Sequence, residues 1–213
     1  MGNGMSKVLD GLYLGNIRDS KDRENLTKNG VTHVLSVCHN AEAVLEDMTY
    51  LCIPAADASN QNLLQYFKEC IKFIHMCRLR GGGCIVHCLA GVSRSTTVVV
   101  AYLMTVTDYG WEECLSAVKV CRSYVSPNFG FQQQLQEFEM NHVKEYRRWL
   151  RMELGESRFN DKQEIGKLLS EYNEQQKQQQ PGCGQPRWAN PTATVYPLPY
   201  NAYGTAKHGW VNR

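Results

Sequence analysis

The most informative stretch of the sequence is a run of nine residues, His87-Cys88-Leu89-Ala90-Gly91-Val92-Ser93-Arg94-Ser95. An apolar run, Cys84-Ile85-Val86, precedes them and a second, 96–104, follows, which predicts a strand, a tight loop and a helix. A loop in this position turns its backbone N–H groups inward, at the positive end of the helix dipole. Gly91 supplies the backbone freedom that a close wrap requires. The loop is therefore predicted to hold a small anion at its centre.

Cys88 and Arg94 are the candidate reactive groups of this loop. A free thiol has a pKa of about 8.5, and a helix N-terminus or a nearby cation lowers it to roughly 3.5–7.5. We therefore expect Cys88 to be a thiolate at neutral pH, and Arg94 to clamp two oxygens of a phosphoryl group. Nucleophile, oxyanion donors and clamp in one loop predict covalent catalysis. The alternative, a buried structural cysteine, explains neither Gly91 nor the Arg94-Ser95 pair.

His87 and Asp57 each have two interpretations. His87 either tunes the thiolate from behind the loop or is a core histidine with satisfied hydrogen bonds. Asp57 follows the strand-like run 49–53, and the helix after it is expected to bring that strand beside the strand of the catalytic loop. There it would act as general acid and then as general base, although an Asp before Ser59-Asn60 is also a common turn or helix-cap residue.

The spacing of apolar residues predicts the remaining elements. Strands are predicted at 12–14, 31–37 and 49–53, and helices at 19–29, 62–80, 95–107, 111–122 and 128–153. Strands and helices alternate early in the chain and helices follow. This order predicts an α/β fold with a mostly parallel central sheet flanked by helices.

A family resemblance rests on the motif His-Cys-x-x-Gly-x-x-Arg-Ser, on Asp57 upstream and on Ser126-Pro127-Asn128-Phe129-Gly130-Phe131 downstream. With these motifs the chain resembles the small atypical dual-specificity protein phosphatases, over residues 1 to about 155. The resemblance implies the cysteine-dependent protein tyrosine phosphatase fold, without cofactor or metal. It also implies hydrolysis of phosphotyrosine and phosphoserine/threonine through a cysteinyl-phosphate intermediate, and modulation of a Jun-kinase or MAP-kinase pathway.

The same resemblance implies a role for each site residue. Cys88 is the nucleophile, Arg94 the phosphate clamp and Asp57 the general acid. Ser95 eases expulsion of the thiolate, and Asn128 braces the loop. The phosphate is expected to bind to Leu89, Ala90, Gly91, Val92, Ser93 and Arg94. The implied partners are phosphoprotein substrates, including kinases of a MAP-kinase cascade, and the protein is expected to be a monomer.

Two other functions would use the same loop. One is hydrolysis of phosphoinositides or other non-protein phosphates, but lipid-directed relatives usually place lysines in the loop, and here its residues between Cys88 and Arg94 are neutral. The other is an inactive phosphate-binding scaffold. A scaffold would need only the Arg94 clamp, whereas Cys88, Ser95 and Asp57 are all present.

Composition and the two ends of the chain add expectations about location. A formal charge of +2 over 213 residues gives no nucleic-acid-binding signature, and the nine cysteines include no Cys-x-x-Cys pair. Without a signal peptide or a membrane-spanning run, we expect reduced thiols and a cytoplasmic protein with a nuclear pool. The opening Met1-Gly2-Asn3-Gly4-Met5-Ser6 fits the pattern for myristoylation of Gly2, which predicts weak, reversible membrane contact. Residues 156–213 are expected to be a disordered polar tail beside a catalytic domain of residues 1–155.

A final hypothesis concerns oxidation of the thiolate. Peroxide converts an accessible low-pKa thiolate into a sulfenic acid, which a nearby thiol traps as a disulfide. Cys38, at the end of the predicted strand 31–37, is the suggested partner of Cys88, and Cys52 and Cys84 are rivals. The alternative for Cys38 is a small buried apolar residue.

Overall fold

The computed structural model describes residues 4–179, with a five-stranded sheet at the centre. The strands are β1 (Ser6–Leu9), β2 (Leu12–Gly15), β3 (Val31–Cys38), β4 (Thr49–Pro54) and β5 (Gly83–His87). Their order in the sheet is β1-β2-β5-β3-β4, and only the β1–β2 pair is antiparallel. The predicted α/β fold with a mostly parallel sheet is confirmed.

The strand before the catalytic loop, β5, lies in the middle of the sheet. All its residues are buried, as expected for a parallel strand covered on both faces, and Val86 faces Leu14 of β2 and Leu35 of β3. The expectation that the strand before Asp57 lies directly beside this strand is wrong, because β3 separates β4 from β5. Both strands still end at the same edge of the sheet, so the loops after them open there together.

The α-helices in the described residues are α1 (Arg23–Lys28), α2 (Phe67–Leu79), α3 (Arg94–Val106), α4 (Trp111–Cys121), α5 (Phe129–Asn141), α6 (Val143–Leu154) and α7 (Asp161–Gln179). The central one is α3, which is buried from its first residue to Thr105 and contacts α2, α4, α5 and α6. The single helix predicted over 128–153 is wrong, because non-helical backbone at His142 (φ −125°, ψ −32°) divides it into α5 and α6. None of the helices in residues 4–179 is long and apolar enough to cross a membrane.

The segment after residue 155 differs from the expected disordered tail. It contains the helix α7, in which Asp161 and Ile165 are buried, and residues 4–177 belong to one compact unit. The segment is polar overall, but Ile165, Leu168 and Leu169 belong to or pack against the main core. The compact unit is therefore longer than the predicted domain of residues 1–155. Residues 180–213, for which disorder is also predicted, lie outside the described residues.

A buried ion pair joins α7 to the rest of the domain. Both nitrogens of the Arg78 fork donate to the Asp161 carboxylate, at 2.8 and 2.9 Å, and the two side chains are 1% and 2% exposed. Arg78 also donates to the Tyr102 hydroxyl and to the Asp10 carbonyl oxygen, both at 2.7 Å, and its guanidinium lies over the Phe159 ring. The buried positive charge of Arg78 is thus paired with a carboxylate, two further acceptors and an aromatic ring.

Replacing Asp161 by alanine is expected to lower the free energy of unfolding by about 3–5 kcal/mol, because Arg78 keeps its charge in the interior without a carboxylate. Asp108→Ala is the matched control, since it breaks the exposed pair with Lys162 that also joins α7 to the domain. Little change is expected there. Urea unfolding followed by circular dichroism measures both variants, and equal losses would contradict a dominant role for the buried pair.

Candidate active site

The loop of residues 88–93, between β5 and α3, has its carbonyl oxygens tied outward. The hydrogen bonds run from Ile17 N to Leu89 O (3.3 Å), from Arg122 Nε to Gly91 O (3.0 Å) and from Ser126 N to Val92 O (2.9 Å). In a trans peptide the N–H points opposite to the carbonyl of the same unit, so the N–H groups of residues 90, 92 and 93 face the loop centre. This is the backbone geometry that an anion nest requires.

Gly91 is the position at which this loop depends on glycine. Its φ is +69°, in the left-handed region, and a Cβ there would lie 2.5 Å from the carbonyl oxygen of Gly15. A larger residue would therefore be strained and would also push the loop away from β2. The structure thus places the unusual backbone angle where the sequence predicts it.

Cys88 lies at the base of the loop and is 1% exposed. Its Sγ accepts hydrogen bonds from the Ser95 hydroxyl and from the Gly91 N–H, both at 3.2 Å. Burial by itself raises the pKa of Cys88. The Ser95 hydroxyl and the N–H groups of Ser95, Val92 and Gly91 outweigh it, so the pKa lies below the ordinary value of a thiol. The site therefore favours the thiolate, which is the nucleophilic form.

Arg94 opens α3 and has a buried donor, Nε, that is unpaired in the described residues. Its Nη1 donates to the Ala55 carbonyl oxygen at 2.9 Å, which fixes the side chain. Its buried Nε has no hydrogen-bond partner among the described residues and lies 3.9 Å from Asp57 Oδ2. Leaving a buried donor unpaired costs about 1–3 kcal/mol. A phosphate oxygen in the loop would satisfy this donor.

Asp57 stands opposite the loop and is held by side chains distant in sequence. Its Oδ1 accepts from Ser93 Oγ (2.8 Å) and from Asn128 Nδ2 (2.9 Å), and 39% of the side chain is exposed. In the described residues neither oxygen accepts from a neighbouring backbone N–H, as the alternative turn or cap role would require. Both hydrogen bonds fall on Oδ1, so Oδ2 is the oxygen available to carry a proton toward a substrate.

Asn128 acts mainly on Asp57 rather than on the loop that it was expected to brace. Its amide Nδ2 holds Asp57, and its Oδ1 accepts from Phe131 N (3.1 Å) and so caps α5. Only its backbone N–H reaches the loop, donating to Ser93 Oγ at 3.2 Å. We therefore assign Asn128 and Ser93 to the positioning of the Asp57 carboxylate.

His87 is a buried, neutral histidine behind the loop. Burial lowers its pKa to about 4, so the ring carries no charge at neutral pH, and its Nδ1 lies 3.3 Å from the Cys88 carbonyl oxygen. Its contact is thus with the backbone of the loop and not with the Cys88 sulfur. Within residues 4–179 no group of three or more His, Cys, Asp or Glu could hold a metal ion.

Arg122 is the residue of this site that the sequence analysis missed. Its side chain is 1% exposed. Its Nε donates to Gly91 O, and its Nη1 donates to Gly4 O (3.1 Å) and to Ser6 Oγ (3.3 Å). The Asp19 carboxylate lies 3.9 Å from its Nη2. Arg122 thus ties the N-terminal segment to the phosphate-binding loop. An arginine at the end of a helix is usually solvated, so local sequence gives no signal for this role.

The geometry of the sheet distinguishes among the three cysteines suggested as disulfide partners of Cys88. Cys84 precedes Cys88 by four residues along β5, or about 13 Å at about 3.3 Å per residue. Cys52 lies on β4, two strands or about 10 Å away. Both separations exceed the roughly 7 Å that a disulfide allows between Cα atoms. Cys38 ends β3, which pairs directly with β5. The register leaves Cys38 as the compatible partner.

Mild peroxide treatment is expected to link Cys38 to Cys88, because the Cys38 thiol can attack the Cys88 sulfenic acid and release water. Burial raises the pKa of Cys38, so the reaction should be slow at neutral pH and faster as the pH rises. Peptide mapping measures the linkage, with Cys52→Ser as the variant that should retain it. Cys88 recovered only as sulfinic or sulfonic acid would contradict the pairing.

This fold, with a cysteine and an arginine in one phosphate-binding loop, defines a cysteine-dependent phosphatase. The family model "Dual specificity phosphatase, catalytic domain" matches residues 12–141, and the chain belongs to that family. Dual specificity protein phosphatase 22-A of Danio rerio is 65% identical over 206 residues, covering 97% of this chain and 98% of that protein. Dual specificity protein phosphatase 22 of Homo sapiens is 59% identical over 170 residues, covering 80% and 92%. The resemblance to the atypical dual-specificity phosphatases is confirmed.

A solved structure shows the same fold. The crystal structure of DUSP15 has a TM-score of 0.71 and 52% sequence identity, and the match covers 73% of this chain and all of that chain. The predicted cysteine-dependent protein tyrosine phosphatase fold is therefore confirmed.

Proposed function

We propose that the protein hydrolyses phosphotyrosine and phosphoserine/threonine in protein substrates through a phosphocysteine intermediate on Cys88. One observation carries the proposal. The lowered pKa of Cys88, the unpaired Nε of Arg94 and the inward N–H groups meet in one loop, with Asp57 across from them. Each group meets a separate requirement of phosphoryl transfer, namely a nucleophile, donors for the developing charge and a general acid.

The first step forms the bond between sulfur and phosphorus. The Cys88 thiolate attacks phosphorus as the bond from phosphorus to the substrate oxygen breaks. Arg94 and the loop N–H groups stabilise the charge on the non-bridging oxygens, and Asp57 Oδ2 donates its proton to the leaving oxygen. The dephosphorylated side chain leaves, and Asp57 is then a carboxylate.

The second step restores the enzyme. The Asp57 carboxylate takes a proton from water, which attacks phosphorus while the bond from phosphorus to sulfur breaks. The Ser95 hydroxyl, 3.2 Å from Cys88 Sγ, donates to the departing thiolate and so eases its expulsion. Inorganic phosphate is released, and Asp57 is protonated again.

Phosphate release from matched substrates tests this function. The purified protein is assayed with phosphotyrosine and phosphothreonine peptides and with phosphoinositides in vesicles. We expect hydrolysis of both peptides, because the neutral loop residues Leu89, Ala90, Val92 and Ser93 offer no charge for a multiply phosphorylated head group. Hydrolysis of lipid alone would favour the non-protein phosphatase, and binding without release would favour the scaffold.

The resemblance to the atypical family members supports a role in kinase signalling. We propose that the substrates include phosphorylated kinases of a Jun-kinase or MAP-kinase cascade and that the protein acts as a monomer. For its location, we propose a cytoplasmic protein that is partly membrane-associated, with a nuclear pool. The membrane contact would depend on an acyl chain at Gly2, which lies outside the described residues.

Gly2→Ala is expected to shift the protein from the membrane fraction to the soluble fraction, because it removes the acylated residue. The wild-type protein should itself divide between the two fractions, since one myristoyl chain binds membranes only weakly. Asn3→Ala is the matched control, because the pattern accepts any residue there. Fractionation with labelled myristate measures both variants. Wild-type protein that incorporates no label would contradict acylation.

A further inference from the structure

Three exposed apolar side chains belong to the phosphate-binding loop or to segments hydrogen-bonded to it. The large apolar side chains that are exposed in the described residues are Val44, Leu89, Tyr124, Phe129, Met140 and Met152. Leu89 directly follows the nucleophile and is 64% exposed, and Phe129 directly follows Asn128 and is 69% exposed. The ring of Tyr124 stacks on the guanidinium of Arg122, 4.8 Å from its centroid. We call Leu89, Tyr124 and Phe129 the apolar rim.

Backbone contacts hold all three rim segments against the site. The N-terminus of α5 packs on the Asp57 loop so closely that a Cβ on Gly130 would collide with the carbonyl oxygen of Ser59. Phe129 directly follows Asn128, whose Nδ2 donates to the general acid Asp57. Its neighbours Gly130 and Phe131 are buried, whereas Phe129 is not. Tyr124 lies between Arg122 and Ser126, which both donate to carbonyl oxygens of the loop.

The loop itself recognises only the phosphoryl group. Its inward donors and the Arg94 Nε can contact phosphate oxygens, and these are the same in every phosphoprotein. Selection among phosphorylated sites therefore depends on what surrounds the loop. Exposed apolar side chains gain free energy when a ligand covers them, and the gain is proportional to the apolar area removed from water.

We propose that the apolar rim binds apolar side chains that flank the phosphorylated residue of a protein substrate. The inference rests on the proposed function, and it adds a preference among phosphorylated sites. A peptide suits this surface better than a lipid layer does, because the partly exposed, polar Asp57 carboxyl group stands at the same mouth. A lipid layer offers this polar group no hydrogen-bond partner, and burying such a group without one costs free energy.

Two phosphotyrosine peptides of equal length and charge test the preference. One carries Leu on both sides of the phosphorylated residue and the other carries Ser. The wild-type protein is expected to show a kcat/KM roughly tenfold higher for the Leu peptide, since part of an aromatic ring becomes buried. In Phe129→Ala the ratio of the two values should fall toward one. Using a ratio measured within one variant cancels any general loss of activity.

Met140→Ala is the matched control, because Met140 lies on the same helix and is 68% exposed, close to the 69% of Phe129. It should keep the wild-type ratio. A wild-type ratio near one, or an unchanged ratio in Phe129→Ala, would contradict substrate binding by the apolar rim while leaving the proposed function intact. Release of the protein from phosphatidylcholine vesicles by Phe129→Ala, without a change of the peptide ratio, would instead assign the rim to membranes. Hydrolysis of a small aryl phosphate but of neither peptide would overturn the proposed function and the rim together.

Discussion

Cys88→Ser is expected to abolish turnover while phosphate binding remains. The serine hydroxyl is not ionised at neutral pH, so no nucleophile remains at the base of the loop. The loss should be on the order of 10⁵-fold or more, the scale seen when a covalent nucleophile is removed. The inward N–H groups and the Arg94 Nε persist in the variant. Turnover is measured with an aryl phosphate and binding with a phosphotyrosine peptide in a calorimeter.

Cys52→Ser is the control for a general effect of replacing a thiol. Cys52 lies on β4, two strands from the catalytic strand, and contributes no contact to Cys88. Its activity should stay near that of the wild type. Residual turnover in Cys88→Ser within about a hundredfold of the wild type would remove Cys88 from the role of nucleophile, while loss of binding as well would point to a collapsed loop.

Asp57→Ala is expected to lower kcat/KM by an amount that depends on the pKa of the substrate's leaving group. With an alkyl or phenolic leaving group of high pKa, kcat/KM should fall by about 10²–10⁴-fold, because the leaving oxygen receives no proton. With an activated aryl phosphate, kcat/KM should change little, since that leaving group departs as an anion. Equal losses of kcat/KM on both substrates would remove Asp57 from the role of general acid.

Asn128→Ala provides a graded companion to this variant. It removes one of the two hydrogen bonds that hold Asp57 Oδ1 but leaves Ser93 Oγ in place. We expect the same dependence on the leaving group with a smaller loss, because the acid remains but is less well oriented. Asn128 also caps α5, so the substitution can lower stability. The free energy of unfolding of the Asn128→Ala variant should therefore be measured together with its activity.

The catalytic loop could be predicted from sequence because its chemistry is local. Cys88, Gly91, Arg94 and Ser95 lie within one strand–loop–helix unit, whose dipole and nest geometry follow from the backbone alone. Asp57 could be proposed only as one of two alternatives. Its true partners, Ser93 and Asn128, are brought to it by the tertiary fold, and no spacing along the chain marks them.

Other features depend on contacts between distant residues. Arg122 reaches Gly91 and Gly4 through the packing of α4 against β1, and α7 is anchored when Asp161 meets Arg78. Polar residues give no local sign that they will be buried as a pair, so composition suggested a tail beginning at residue 156. The order of the strands in the sheet could not be predicted from the spacing of apolar residues either. Strands that are consecutive in sequence are expected to be neighbours, which favours β4 beside β5, whereas β3 lies between them.

Trapping the phosphoenzyme tests most directly whether the phosphoryl group is transferred to Cys88. In Asp57→Ala an activated aryl phosphate can still transfer its phosphoryl group, but the carboxylate that activates water is missing. The intermediate should therefore accumulate. After rapid denaturation and digestion, mass spectrometry is expected to find one phosphoryl group on the peptide that contains Cys88. Continued release of phosphate with no phosphopeptide, or a phosphoryl group on another residue, would contradict the mechanism.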